Sequence, residues 1–104
     1  VFVEEQLERF AIELVVATRK LADYLPDWGG MIQVGASPRA SISLLRASMA
    51  RALLHERDYV LPEDIIALAA DILRHRLVLD FSAQAEGISS DDIIDTLLNV
   101  IKVP

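Results

Sequence analysis

The sequence contains no cysteine among its 104 residues, which excludes disulfide bonds and thiolate metal sites. Glycine and proline, the residues that most often interrupt regular structure, occur only four times each. With 53% hydrophobic residues, this composition is typical of an ordered globular protein and not of a disordered segment. The length suits a single domain with one modest core.

The sequence also lacks any long hydrophobic run. Apolar stretches such as IIALAA at 65–70 are far too short to cross a bilayer. Glu4 and Glu5 stand where a signal peptide would carry basic residues, so we expect no export signal and a cytoplasmic location. The chain opens on Val1 and enters a helical pattern almost at once, and we therefore interpret it as a fragment of a longer protein that need not hold a complete active site.

Basic residues are few, with 10 Lys and Arg against 16 Asp and Glu, for a formal net charge of −6. This balance weighs against a nucleic-acid partner, because phosphate backbones are bound by an excess of Lys and Arg. The arginines are not spread evenly. Residues 39–76 contain six of them, so any anion-binding chemistry is expected in that segment.

Apolar residues recur about every 3.6 positions in four segments, which predicts four main helices and an all-α bundle. The first helix is predicted over 3–20 and the second over 38–55. The third is predicted to begin at Pro62, and the fourth at Ser89, where Ser89 and Asp92 fit a capping box. The second helix is apolar over much of its circumference and is placed at the centre of the bundle, with its core-facing stripe at Ile42, Leu45, Met49 and Leu53.

Three irregular pieces connect these helices. Residues 23–35 form a loop punctuated by proline and glycine, with a short extended piece at 31–34. The corner at 56–60 joins the two central helices, and we expect residues 58–60 to pair with that extended piece. Residues 82–87 are predicted to be a solvated connection.

The motif GASPRA, at 35–40, contains a charge that the helix dipole disfavours. Ser37 is predicted to be the N-cap and Pro38 the first helical residue, which places Arg39 in the first turn, where partial positive charge already accumulates. Ser43 and Arg46 follow on the same face of the helix. Two interpretations stay open: an anion site for phosphate, or a solvated arginine paired with a nearby carboxylate.

The segment RHR, at 74–76, resembles a second basic cluster. Because it lies near the end of the third helix, where cations are favoured, we predict that Asp71 pairs with His75 and Asp80 with Arg76. Neither histidine of the chain has the local spacing of a metal ligand set, so no metal site is expected.

Two pairs of acidic residues, Glu63–Asp64 and Asp91–Asp92, stand in first turns of helices and are assigned to helix capping. The sequence has no nucleophile motif, no glycine-rich phosphate loop and no dinucleotide fingerprint. The segment by itself is therefore not predicted to be an enzyme or to bind a cofactor.

Residues 35–77, GASPRASISLLRASMARALLHERDYVLPEDIIALAADILRHRL, closely resemble the C-terminal helical lid of MoxR-type ATPases of the AAA+ superfamily. The resemblance extends to ELVVATR at 13–19 and to the closing VP at 103–104. It covers nearly the whole chain. The order and spacing of GASPRA, RDYVLPEDI and LRHRL make it specific.

The resemblance implies that residues 1–104 form a single lid domain of a longer ATP hydrolase that contains a P-loop domain and uses Mg-ATP. It implies that Arg39 is a sensor-2 arginine that contacts nucleotide phosphate, with Ser37, Ser43 and Arg46 around the same site. It further implies a hexameric ring, a chaperone-like role, and partners with von Willebrand factor A domains. The alternative is a non-enzymatic helical interaction module, either histone-fold-like or a protein-binding bundle.

Two positions depart from the family pattern. Glu56 stands where a glycine commonly precedes RDYV, and Leu61 stands where a Ser or Thr N-cap is expected before PED. A glycine at the first position would suit a left-handed helix cap best. Both departures are expected to weaken local caps without affecting Arg39.

Overall fold

The computed structural model describes residues 1–104, which form six α-helices and one two-stranded antiparallel sheet. Two 3-10 turns, Pro26–Trp28 and Arg74–Arg76, follow α2 and α4 respectively. In chain order the regular elements are α1 (Glu5–Arg19), α2 (Leu21–Tyr24), β1 (Ile32–Val34), α3 (Arg39–Leu54), α4 (Pro62–Leu73), β2 (Val78–Leu79), α5 (Phe81–Ala85) and α6 (Ser90–Val100).

The four long helices α1, α3, α4 and α6 correspond to the four predicted helices, and the predicted all-α bundle is confirmed. Ser89 caps α6 as predicted: its Oγ accepts from the Asp92 N–H at 3.1 Å, and the Asp92 carboxylate accepts from the Ser89 N–H at 2.9 Å. This reciprocal pair satisfies two N–H groups that a helix start would otherwise leave without partners.

Residues 82–87 are exposed to solvent as predicted, apart from Ala83, but most of the segment belongs to the short helix α5 and is not an irregular connection. The Asp80 carboxylate accepts from the Ser82 N–H at 3.0 Å and so caps the helix. Ala83 is buried, and Gly87, with φ of 70°, follows the helix in the left-handed conformation that glycine adopts without steric cost. A single buried alanine leaves too little apolar periodicity to be recognised in a sequence.

The extended piece predicted at 31–34 is present as β1, but its predicted partner, 58–60, is wrong. β1 pairs instead with β2, through Ile32 opposite Leu79 and Val34 opposite Val78. A strand pattern shows that a segment is extended and says little about which distant segment it pairs with.

The corner at 58–60 pairs with the start of the chain instead. Tyr59 forms an isolated parallel bridge with Phe2. The Phe2 N–H donates to the Asp58 carbonyl at 2.7 Å, and the Val60 N–H donates to the Phe2 carbonyl at 2.9 Å. The chain entering the bundle is therefore tied to the connection between α3 and α4.

The core contains 22 buried apolar residues drawn from α1, α3, α4 and α6 and from the segments between them. The face that α3 turns toward it differs from the predicted stripe. Ile42 and Leu53 are 52% and 62% exposed, while Leu45 and Met49 are only partly buried. The buried residues of α3 are mostly small: Ala40, Ser41, Leu44, Ser48 and Ala52.

Small side chains on this face let α3 lie close to α1 and α4. The face with small side chains is therefore buried, and the predicted stripe of larger side chains is not. Ser48 can be fully buried because its hydroxyl donates to the Leu44 carbonyl at 2.8 Å. Ala52 is completely buried, which brings the backbone of α3 close to its neighbours.

α3 ends in a Schellman motif centred on Glu56. The Glu56 N–H donates to the Leu53 carbonyl and the Arg57 N–H to the Ala52 carbonyl, both at 2.9 Å. Glu56 has φ of 59° and is the one non-glycine residue in the left-handed region. The conformation inferred from the family pattern is thus present, on a residue less suited to it than glycine.

Candidate functional site

The GASPRA loop is attached to the end of α1. The Ala36 N–H donates to the Thr18 hydroxyl at 3.0 Å, and that hydroxyl donates in turn to the Val15 carbonyl at 2.6 Å. Thr18 and Ala36 are both buried. Two separate parts of the recognised sequence, ELVVATR and GASPRA, therefore meet in space, and the position of the start of α3 is determined by α1.

Gly35 makes this approach possible. A Cβ atom at this position would lie 2.6 Å from the Thr18 carbonyl oxygen and 2.8 Å from the Arg19 Cγ. The first of these contacts is with backbone, which cannot swing aside as a flexible side chain does. Any residue larger than glycine would push the loop, and Arg39 four residues later, away from α1.

Arg39 is the first residue of α3 and is exposed. Pro38 has helical dihedral angles, φ −55° and ψ −26°, as predicted, and the regular helix begins one residue later than predicted. The predicted cap from the Ser37 hydroxyl is wrong, because no side chain caps this end. The Ser41 hydroxyl instead turns back onto the Pro38 carbonyl at 2.7 Å.

The start of α3 differs from those of the other long helices. The first turns of α1, α4 and α6 all contain carboxylates, whereas that of α3 contains none. No carboxylate lies within 4.0 Å of the Arg39 guanidinium. The carboxylate partner of the paired-arginine interpretation is therefore absent, and Arg39 presents its charge to solvent beside the free N–H groups of the helix start.

A small groove of about 200 Å³ lies between α1 and the start of α3. Its lining is mainly apolar, with one cation, and adjoins the loop that positions Arg39. The lining residues are Ile12, Val15, Val16, Arg19, Pro38 and Ser41. Ile12 is 49% exposed, which leaves an apolar surface beside the candidate anion site.

Ser43 and Arg46 occupy the positions predicted for them on α3, with Arg46 exposed and Ser43 half-buried. A further residue joins them. The Nη2 atom of Arg76 lies 3.4 Å from the Ser43 Oγ, and its Nη1 atom donates to the Ile72 carbonyl at 2.6 Å. The structure thus brings one arginine of the RHR segment against the α3 stripe formed by Arg39, Ser43 and Arg46, a contact that residue spacing did not predict.

The ion pairs predicted for the RHR segment, Asp71 with His75 and Asp80 with Arg76, are absent. Arg74 takes the acidic partners instead, with a bidentate contact to Asp91 at 2.7 and 2.9 Å and a longer one to Asp71 at 3.4 Å. The hydrogen bonds from Arg74 lower the pKa of the Asp91 carboxyl, and Asp91 in turn raises the pKa of Arg74. Asp91 therefore joins α6 to the end of α4 and is not simply a capping residue.

The second charged cluster surrounds Asp64, whose side chain is completely buried. Its carboxylate accepts from the Leu61 N–H at 2.8 Å, which is the predicted capping contact, and also from Arg51 and Arg57. Hydrogen bonds from Arg57 are the main reason that the pKa of Asp64 lies far below its ordinary value, despite desolvation that would raise it. Assigning Asp64 to capping alone was therefore wrong. The separations of 13 and 7 residues follow no helical spacing that could have revealed the cluster.

The larger of the two grooves in the structure, about 660 Å³, lies at this corner and shares no lining residue with the groove beside Arg39. Phe2, Tyr59 and Pro104 are among its lining residues. Glu4 and Asp58 also line it, and it contains no basic residue, so this groove is not suited to binding phosphate.

No group of three or more His, Asp or Glu side chains is arranged to hold a metal ion. None of the helices combines the length and the apolar character that a bilayer span requires.

The sequence of residues 30–97 matches the profile of the AAA lid domain family. Chaperone MoxR1 of Mycobacterium tuberculosis is 39% identical over 104 residues, covering 99% of this chain and 28% of that protein. YeaC of Bacillus subtilis, an uncharacterized protein, is also 39% identical, over 101 residues that cover 97% of this chain and 29% of the relative.

A solved structure resembles the whole chain. A crystal structure of a Cytophaga hutchinsonii protein, provisionally described as an ATPase, superposes with a TM-score of 0.95 at 48% identity. The superposition covers 100% of this chain and 32% of that one. This chain thus spans less than a third of the length of each of these three proteins.

Proposed function

Since the chain belongs to the AAA lid domain family and is a lid of the MoxR type, we propose that it closes over the nucleotide site of a longer ATPase, where Arg39 contacts the phosphates of ATP. In this proposal, residues 1–104 are one lid domain, and a P-loop domain of the same chain holds ATP and Mg²⁺. The observation that carries it is the placement of Arg39. It is exposed, has no carboxylate within 4.0 Å, and stands at an uncapped helix start whose preceding loop is hydrogen-bonded to α1 through Ala36 and Thr18.

The chemistry follows from charge. Phosphoryl transfer spreads negative charge over the oxygens of the transferred group, and a guanidinium can donate two parallel hydrogen bonds to them. Because the Thr18–Ala36 contact positions the helix start before nucleotide arrives, little ordering of the backbone has to accompany binding. Arginines in comparable roles contribute about 10³-fold or more to the rate of hydrolysis.

The remaining parts of the proposal concern the assembly. The lid would move relative to the P-loop domain as nucleotide is hydrolysed, and in a hexameric ring this movement would be passed to neighbouring subunits. A chaperone-like action on partner proteins, including proteins with von Willebrand factor A domains, is proposed by analogy. The description of the Mycobacterium tuberculosis relative as a chaperone supports the first part of that analogy.

The test is the Arg39→Ala substitution in the longer ATPase. We expect ATP turnover to fall by about 10²- to 10³-fold, because transition-state charge loses a bidentate donor. Arg39→Lys, which keeps the charge but loses the fork, should recover only part of the rate. Arg9→Ala is the matched control, since Arg9 is an exposed arginine of α1 that pairs only with Glu5.

Thermal unfolding of each variant distinguishes loss of function from loss of fold. Arg39 makes no ion pair and its charge opposes the helix dipole, so Arg39→Ala should leave the unfolding midpoint unchanged or slightly raised. If turnover and nucleotide affinity both stay at the wild-type level, the nucleotide role fails. Arg39 would then be a surface residue of a non-enzymatic interaction module.

A further inference from the structure

Ser43 lies between two arginines on one face of α3 and is contacted by a third from another part of the chain. Arg39 lies one helical turn before Ser43 on α3, and Arg46 lies about one turn after it. Arg76 reaches the same place from the turn after α4, with its Nη2 atom 3.4 Å from the Ser43 Oγ. At this length the contact is a weak hydrogen bond, but it places the third guanidinium beside the α3 stripe.

These three guanidinium groups have no acidic partner. Of the eight arginines of the chain, Arg9, Arg51, Arg57 and Arg74 make ion pairs within 4.0 Å, whereas Arg39, Arg46, Arg76 and, on α1, Arg19 do not. Acidic residues outnumber basic ones by 16 to 10, so a shortage of carboxylates does not explain this. Carboxylates are absent from this particular patch.

The acidic residues closest to Arg76 in sequence are directed elsewhere. Asp71 contacts Arg74 at 3.4 Å, and Asp91 makes its bidentate contact with the same arginine. Asp80 accepts from both the N–H and the hydroxyl of Ser82, at 3.0 and 2.8 Å, and these hydrogen bonds lower its pKa. None of these three carboxylates lies within 4.0 Å of the Arg76 guanidinium.

Arg76 is also held in place. Its Nη1 atom donates to the Ile72 carbonyl at 2.6 Å, which fixes the side chain across the end of α4. An arginine that is already oriented loses less side-chain freedom when it binds an anion. The remaining donors of the guanidinium are left for a ligand.

We propose that Arg76 completes, with Arg39 and Arg46, a polyphosphate-binding patch around Ser43. The ligand is an oligophosphate chain such as the triphosphate of a nucleotide, because its charges are distributed along its length. Arg39 and Arg46 are two helical turns apart, about 10.5 Å along the axis, and their long side chains can extend toward such a chain from both sides of Ser43. The patch deepens the proposed function and rests on it for the role of Arg39. The part played by Arg76 is additional.

The experiment titrates inorganic tripolyphosphate into the 104-residue chain and follows the Nε–Hε NMR signals of its arginines. We expect the signals of Arg39, Arg46 and Arg76 to shift together and to give one dissociation constant. Arg76→Gln should weaken binding by about fivefold, the effect of removing one exposed charge contact, and should reduce its salt dependence. Arg76→Lys should weaken it less.

Arg9→Gln is the matched control and should leave the tripolyphosphate affinity unchanged. Unaltered affinity in Arg76→Gln, or a shift confined to Arg39, would overturn the proposal. So would tighter binding of a hexaglutamate peptide than of tripolyphosphate, which would identify the patch as a docking site for acidic protein segments. Circular dichroism confirms that each variant is folded before titration.

The outcome is separable from that of the proposed function. Normal ATP turnover in the Arg39→Ala variant of the longer ATPase would contradict the role of Arg39 in hydrolysis, regardless of the result of the tripolyphosphate titration. The converse result is a strong fall in turnover in Arg39→Ala together with an unchanged tripolyphosphate affinity in Arg76→Gln. That result would contradict the three-arginine patch and leave the proposed function standing.

Discussion

The guanidinium of Arg57 lies parallel to the carboxylate of Asp64, with Nη1 to Oδ2 and Nη2 to Oδ1 both 2.8 Å. Its Nη1 atom also donates to the Tyr59 carbonyl at 3.1 Å, and the carbon of the guanidinium lies 5.9 Å from the centre of the Tyr59 ring. One side chain therefore joins the corner between α3 and α4 to the first turn of α4. A buried carboxylate with this number of donors is fully satisfied and holds its surroundings in one arrangement.

The Asp64→Asn substitution should lower the free energy of unfolding by about 3–5 kcal/mol at pH 7, because it removes the anion that compensates two partly buried arginines. Urea unfolding monitored by circular dichroism measures this loss. Asp95→Asn is the matched control, since Asp95 is exposed on α6 and makes no side-chain hydrogen bond or ion pair. Equal losses in the two variants would mean that the buried cluster contributes nothing specific.

The same substitution should change how stability depends on pH. The pKa of Asp64 is lower in the folded chain than the unfolded value of about 3.9, so the unfolded state binds more protons when the pH falls. The stabilisation is therefore complete above that unfolded value and is lost as the pH drops below it. Between pH 5 and pH 2, measured unfolding free energies should fall more steeply for the wild type than for Asp64→Asn. Parallel curves would contradict the assignment.

Glu56→Gly should stabilise the chain by about 1 kcal/mol, because glycine adopts the left-handed conformation of Glu56, φ 59°, without the steric cost of a Cβ atom. The midpoint of thermal unfolding should rise accordingly. Glu56→Ala removes the same carboxylate but keeps the Cβ atom. Comparing the two variants therefore distinguishes the effect of relieving the backbone conformation from the effect of removing the charge. A gain of equal size in the alanine variant would show that the backbone is not the cause.

Gly35→Ala should destabilise the chain by about 1–3 kcal/mol, since the added methyl group would lie 2.6 Å from the Thr18 carbonyl oxygen. In the longer ATPase, the displaced loop should also lower ATP turnover by moving Arg39. Gly30→Ala is the control, because a Cβ atom at Gly30 would meet nothing within 4 Å. Unchanged stability in Gly35→Ala would show that the loop can move away from α1 freely.

Local sequence patterns were sufficient to predict the structural elements that are determined by interactions between residues close together in the sequence. Helical periodicity predicted the four long helices, and the Ser89–Asp92 box predicted the start of α6. The glycine that the family pattern commonly has at position 56 agrees with the left-handed helix end found there. The motifs also predicted the lid family, and Arg39 was recognised because its charge conflicts with the dipole of its own helix.

Contacts between distant segments were not predictable in this way. The partner of β1, the acidic partners of Arg74 and the buried face of α3 all differ from the predictions made from sequence. Each depends on which surfaces meet when the helices pack. Residue spacing along one element carries no information about that.

By itself, then, the sequence determined the helices, the lid family and the unusual placement of Arg39, because dihedral preferences, capping and dipole effects act within a few residues. Only the tertiary structure decided that Thr18 and Gly35 position the start of α3, that Asp64 binds Arg51 and Arg57, and that Arg76 lies beside Ser43. Those contacts form between residues separated by 7 to 33 positions, and packing of the helices brings them together.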